Sequence, residues 1–318
     1  MDYVRVVVPA HLHAGNLDLC GDMGRLYGTV GFTVGSPRVV ARVERSDRLE
    51  SEDPHALRAL ASLRPLLGGR GARVVVESGY PPYSGLGYVT GLYFAVALGV
   101  SELYGLGLSL EEAALALRRG LVTALGLYAA KVGGFIVEGG FRRGMREREV
   151  PPLIFRGEIP ERWLFVIALP YGPLADIQRF RESAEERALA EVSEDCDLAS
   201  RLSRLVLMRM LPSFVEGDLG EFGAALTEFN RSLGQAWARY QGGTYCCPLV
   251  ERGIEILLRR TYGAAQSSWG PAFYGLTDDE AEAERAAAEL REYLREHGGG
   301  DVLITRGRNR GAEVVGPG

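Results

Sequence analysis

Gln266-Ser267-Ser268-Trp269-Gly270-Pro271 sets an amide and two hydroxyls in a turn beside a bulky aromatic. Such a loop either hydrogen-bonds a ligand while Trp269 walls the pocket, or is a tight turn anchored by a buried Trp269. The sequence around it reads as long helices and short strands. Trp163–Leu169 is a continuous apolar run closed by Pro170, which predicts a buried strand. Helical patterns occupy 176–191, 196–216, 218–240 and 251–262, and 263–271 reads as a small-residue loop. Thr277-x-x-Glu280 has the form of a capping box opening a helix to about Glu296, and Val302–Thr305 and Glu313–Val315 follow as strands.

The N-terminal half has a different texture. Val4–Val8 predicts a strand closed by Pro9, followed by a Gly-rich stretch from Gly15 to Gly35. Residues 37–44 alternate as a strand, 54–67 read as a helix and 73–77 as a strand. A Pro/Gly loop, 79–87, leads into an apolar helix from Gly87 to Tyr104, stopped by Gly105 and Gly107. Ser109-x-x-Glu112 is a capping box, and Gly133-Gly134-Phe135-Ile136-Val137 suggests a turn into a buried strand. Charged Arg142–Glu149, then Pro151-Pro152, marks the expected junction between two domains, 1–160 and 161–318. Strands and helices mix without a regular βαβ alternation and without a 20–50-residue repeat, so the fold class is α+β.

Composition narrows the function. The 318 residues carry a net charge of −5, which disfavours nucleic acid as a partner. No apolar stretch approaches a membrane span, and the start shows no signal-peptide pattern, so a cytoplasmic location is expected. Cys20, Cys196, Cys246 and Cys247 lack CxxC spacing and read as reduced thiols. Of 36 basic residues one is a lysine, Lys131, and the rest are arginines. Only seven side-chain amides occur: Asn16, Asn230, Asn309, Gln178, Gln235, Gln241 and Gln266. That scarcity fits a heat-adapted source, while the arginine bias equally fits a GC-rich genome.

Three segments carry chemistry. Gly85-Leu86-Gly87-Tyr88-Val89-Thr90 leads straight into a helix, whose first N–H groups are unpaired and partly positive. That makes a phosphate cradle, or simply a Gly-rich turn before a core helix. His11 and His13 fall on the same side of an extended segment, suited to phosphate binding, acid–base work or two metal ligands, with Asp18 close behind. Arg25 sits in a Gly-rich loop where a guanidinium can grip phosphate or carboxylate. No residue set is expected to hold a metal unaided. Lys131 reads as a solvent-facing side chain, with a phosphate contact as the alternative.

Together these stretches resemble the β-ribofuranosylaminobenzene 5′-phosphate synthase family of the GHMP kinase superfamily. His11-Leu12-His13 with Asp18 and Gly24-Arg25-x-Tyr27-Gly28 is similar to its first motif, and Gly85-Leu86-Gly87 with Thr90 to its glycine loop. Gln266–Pro271 is its most distinctive signature. Leu207–Pro212, Glu216-Gly217-Asp218 and Gln241-Gly242-Gly243 extend the match. The resemblance implies an N-terminal domain like ribosomal protein S5 domain 2 and a ferredoxin-like C-terminal domain. It implies a reaction joining phosphoribosyl pyrophosphate to 4-aminobenzoate or 4-hydroxybenzoate, with release of carbon dioxide and pyrophosphate, usually with Mg²⁺, at the start of methanopterin biosynthesis. The implied catalytic groups are His13, Asp18 and Arg25. Gly85, Leu86, Gly87, Tyr88 and Thr90 would bind phosphate, and His11, Gln266, Ser267, Ser268 and Trp269 would bind substrate. A homodimer is left open.

The departures define two rivals. Tyr88 and Val89 replace small residues of the family, His11 an arginine, and Phe141 a common histidine. A ring at Tyr88 that filled the cradle would favour a non-catalytic ligand-binding protein. An ATP-dependent kinase of the same superfamily would need a carboxylate where this chain has Gly126, or a base elsewhere such as Asp18.

Overall fold

The computed structural model describes residues 3–191 and 195–316. Valine-rich alternation makes the first strand half of a long hairpin. β1 (Tyr3–Asp18) and β2 (Arg25–Ser46) pair antiparallel from Tyr3↔Glu44 to Asp18↔Tyr27, with register shifts after Pro9 and His13. The strand runs on past Pro9, its expected end, because the irregularity there accommodates a residue without an N–H. The Gly-rich stretch is largely strand as well. A Cβ on Gly31 would lie 2.4 Å from Leu125 Cδ2, so glycine lets a helix sit close on the hairpin.

β3 (Leu49–Ser51) and, after α1 (Pro54–Leu63), β4 (Gly71–Ser78) extend this sheet. α2 (Tyr88–Tyr104) packs on β1 and β2 and is apolar on nearly every side, as a helix enclosed by sheet and helices must be. α3 (Leu110–Leu117) starts with the reciprocal Ser109–Glu112 capping box. α4 (Leu125–Lys131), β5 (Phe135–Glu138), β6 (Phe141–Arg142) and β7 (Leu153–Gly157) follow, with β5 pairing both β2 and β7. Arg142–Glu149, the expected junction, is therefore a loop inside the first sheet, and the chain leaves that sheet between Gly157 and Leu164.

β8 (Leu164–Pro170), buried along its whole length, opens a second sheet. The helical pattern over 176–191 breaks at Ala184 into α5 (Leu174–Ser183) and α6 (Glu185–Ala190). α7 (Cys196–Leu205) continues through a π turn, Val206–Met210, into α8 (Leu211–Glu216), and α9 (Leu219–Gln241) and α10 (Pro248–Leu258) follow. β9 (Gly263–Gln266) occupies part of the expected small-residue loop. Its residues are small because α9 lies on it: a Cβ on Gly263 would meet the Gly223 carbonyl at 2.0 Å. After β10 (Phe273–Thr277), α11 (Glu280–Glu296) is capped by Asp279 rather than Thr277, its carboxylate accepting from the N–H of Ala281 and Glu282. β11 (Gly300–Arg306) completes an antiparallel sheet ordered β11-β8-β10-β9, the ferredoxin-like order, and β12 (Glu313–Val315) returns to pair with β1.

The sheets meet in a shared core, and a second apolar cluster packs between the second sheet and helices α10 and α11. The Phe32 ring from β2 lies 5.3 Å from Phe165 on β8, 5.9 Å from Phe222 on α9 and 6.1 Å from Tyr274 on β10. One expectation is corrected: Cys20 and Cys196 form a disulfide, Cα atoms 5.1 Å apart, and only Cys246 and Cys247 are free. The partners are 176 residues apart, and spacing alone gives no sign of a pairing that only the fold creates. Among the described residues no helix is long and apolar enough to cross a membrane.

Candidate active site

A cleft of about 250 Å³ forms where β1, α2, the α3–α4 connection, α5–α6, α9 and the β9–β10 turn converge. It adjoins a cavity of about 90 Å³ at the start of α2, and His11, His13, Thr90 and Ser268 border both.

The glycine loop is held from behind. Ala272 N–H donates to the Ser84 carbonyl at 2.9 Å, and Ser267 Oγ donates to the Gly85 carbonyl at 2.7 Å. Tyr80 OH and His11 N–H both donate to the Leu86 carbonyl, at 2.9 and 3.3 Å. In a trans peptide the N–H points opposite to the C=O. Anchoring these three carbonyls therefore turns the N–H groups of Gly85, Leu86 and Gly87 the other way, and Gly85 and Gly87 border the smaller cavity. Gly87 is the N-cap of α2 at φ +83°, with no side chain to cap the first turn. A Cβ there would lie 2.0 Å from His11 Cε1.

Tyr88 borders the small cavity, but its ring turns toward Gly79 and Tyr80, and its hydroxyl donates to Asp53 Oδ2 at 2.6 Å. The ring is thus held away from the cradle. Gly126 packs on Thr90 and His11: a Cβ would lie 2.6 Å from Thr90 Cγ2 and 3.0 Å from His11 Cε1.

Both cleft histidines are neutral at pH 7 without ligand. Burial lowers the His11 pKa to about 4. Burial first, then the charges of His11 and Arg181, lowers that of His13 to about 3. As neutral imidazoles they offer a hydrogen-bond donor and an acceptor rather than a standing positive charge, and a bound anion would raise both pKa values.

The signature loop is mainly a brace. Ser267 is fully buried and accepts from His13 N–H at 2.9 Å while donating to Gly85, tying β1 to the glycine loop. Gln266 Oε1 accepts from Cys246 N–H, its Nε2 donates to the Ser268 carbonyl, and its backbone exchanges hydrogen bonds with Asn230. Ser268 faces both cavities. Trp269 borders the main cleft, its Nε1 donating to Glu185 at 3.0 Å and its ring 4.9 Å from Trp237.

Two expected catalytic residues lie elsewhere. Asp18 Oδ1 accepts from the N–H of Cys20 and Gly21, which closes a turn. Arg25 is exposed and donates to the Gly140 carbonyl at 2.8 Å. Neither borders the cleft. Lys131 pairs with Glu111 outside it. The cleft instead contains groups that the sequence did not single out: Arg119, Arg181, Asn230, Trp237, and Arg146 paired with Glu186 at 2.8 Å. One signal was available: four of the seven amides, Asn16, Asn230, Gln241 and Gln266, border the cleft.

Residues 210–296 match the family described as GHMP kinases C terminal. The whole chain is similar to the β-ribofuranosylphenol 5′-phosphate synthase of Methanothermobacter thermautotrophicus, 31% identical with 96% of this chain and 97% of that one covered. The protein of the same description from Archaeoglobus fulgidus is 31% identical, with 98% and 99% covered. Among solved structures, homoserine kinase from Cytophaga hutchinsonii superposes with a TM-score of 0.66 at 15% identity, covering 99% and 98% of the two chains. L. major mevalonate kinase gives 0.66 at 16% identity, covering 95% of each. At such identities these two structures speak for the fold alone.

Proposed function

Since the chain belongs to the β-ribofuranosylphenol 5′-phosphate synthase family within the GHMP kinase superfamily, we propose that this enzyme joins phosphoribosyl pyrophosphate to 4-hydroxybenzoate or 4-aminobenzoate. The ring carbon bearing the carboxylate, made electron-rich by the para hydroxyl or amine, attacks ribose C1. The C1–O bond breaks and its electron pair leaves with the diphosphate. The carboxylate then departs as carbon dioxide, returning its bonding pair to the ring.

The observation that carries this reading is the cradle: three anchored carbonyls and an uncapped α2 N-terminus present N–H groups where a diphosphate would sit. Ser268 and the neutral His11 and His13 border the same space. The Trp237–Trp269 pair offers an apolar wall for the aromatic acid. Tyr88, held off by Asp53, leaves room for the phosphate, which weighs against a non-catalytic reading. The kinase alternative is weakened, because Gly126 supplies no carboxylate and Asp18 lies outside the cleft.

Mg²⁺ fits as an ion carried by the substrate. Such an ion keeps several waters and takes one or two protein carboxylates, and Glu185 and Glu186 border the cleft. Glu185 would hold it, and when bound it offsets charge on the diphosphate. Among the described residues the one three-donor cluster, Cys20, Asp22 and Cys196, includes both disulfide partners.

Carboxyl-labelled 4-hydroxybenzoate or 4-aminobenzoate, incubated with the folded enzyme, phosphoribosyl pyrophosphate and Mg²⁺ at elevated temperature, should release labelled carbon dioxide. No release from either acid would sink the proposal.

A further inference from the structure

Arg119 borders both cavities, and among the described residues no carboxylate lies within ion-pair distance of it. Among the described residues its side chain makes one hydrogen bond, from Nε to Thr90 Oγ1 at 3.3 Å, and its guanidinium lies 5.6 Å from the Tyr93 ring. Burial, and secondly the charge of Arg181, lowers its pKa. A half-buried guanidinium without an anion beside it is unfavourable, yet here a second cation stands near it. Arg181 reaches the same two cavities from α5. It shares Glu185 at 3.2 Å and lies 5.7 Å from the Tyr83 ring. Glu185 is also engaged by Trp269, and His11 and His13 carry no charge. The cluster therefore has an excess of positive charge at the seam between the cradle and the main cleft.

We propose that Arg119 and Arg181 form a two-guanidinium claw that closes a diphosphate group against the N-terminus of α2. The inference rests on the phosphoribosyl pyrophosphate reading and names the groups that would hold its leaving group. A diphosphate suits the site better than a single carboxylate. It carries several charges on two adjoining centres, and two planar forks plus backbone N–H groups match that distribution. The same forks offset the negative charge that grows as the C1–O bond breaks.

Calorimetry with inorganic diphosphate alone, on the full chain, tests the claw apart from turnover. Arg119→Gln and Arg181→Gln should each weaken binding at least tenfold, and inorganic monophosphate should respond less. The claw is overturned if the parent protein does not bind diphosphate, or if a folded R119Q binds it as well as the parent. If R119Q fails to fold by circular dichroism, R181Q, at the end of α5, decides by the same criterion. Claw-dependent binding without carbon dioxide release would leave the claw standing and remove the substrate reading. Release that both variants leave unchanged would do the reverse.

Discussion

Substituting Gly87 by alanine tests the cradle most directly. The backbone there sits at φ +83°, and a Cβ would fall 2.0 Å from His11 Cε1, well inside any tolerated contact. Holding an L residue in that left-handed region destabilises by about 1–2 kcal/mol. Pushing the imidazole out of its rotamer adds about 1 kcal/mol. A total of about 2–3 kcal/mol, at roughly 2–4 °C per kcal/mol for domains somewhat smaller than this chain, predicts a melting temperature about 4–12 °C lower. The displaced ring and the new methyl also enter the space proposed for the anion, so diphosphate affinity should fall at least tenfold. Scanning fluorimetry and calorimetry read the two effects. A second change, His11→Ala, removes the atom in the way. The double variant should therefore be more stable than the sum of the single effects predicts, by about 1 kcal/mol. A Gly87→Ala protein that melts within about 1 °C of the parent and holds diphosphate unchanged would refute the geometry.

Two further outcomes follow from residues outside the cradle. Arg25→Gln should leave diphosphate affinity unchanged in calorimetry, because Arg25 donates to Gly140 away from the cleft; a tenfold loss would return it to the site. Glu138, buried behind α4, has its pKa raised by desolvation from 4.5 to about 7, although it accepts from the N–H of Ala124 and Gly140. Between those values the native state binds more protons than the unfolded chain, so stability should fall as pH rises from 4.5 to 7, by up to about 3 kcal/mol. Urea midpoints at pH 5 and pH 8 should separate less in Glu138→Gln than in the parent, and equal separations would contradict the assignment.

Element types were legible wherever period and punctuation agreed. The α2 start at the glycine loop, the Ser109 capping box and the buried β8 run all follow from local rules. What escaped the sequence depends on long-range packing. Pro9 looked like a strand end because a single chain does not show the partner strand that tolerates it. Gly263 looked like a loop because only α9, crossing at Gly223, explains its size. Within the site, His11, His13 and the glycine loop were found by clustering. Arg119 and Arg181 were hidden among 35 arginines, since what distinguishes them is their place on both cavities, which only the fold defines. The scarce amides pointed to the cleft more sharply than the abundant charges did.

β12 gives the first sheet a history as well as a shape. β1 is flanked by β2 on one side and by β12 on the other. During synthesis β1 and β2 emerge early, and every other described element emerges before β12. Until then the outer edge of β1 offers unpaired backbone groups to any passing strand. The Arg5–Val7 edge of the strand that carries His11 and His13 is thus covered only after both sheets have been made, which leaves it open to wrong pairing while the chain is still growing.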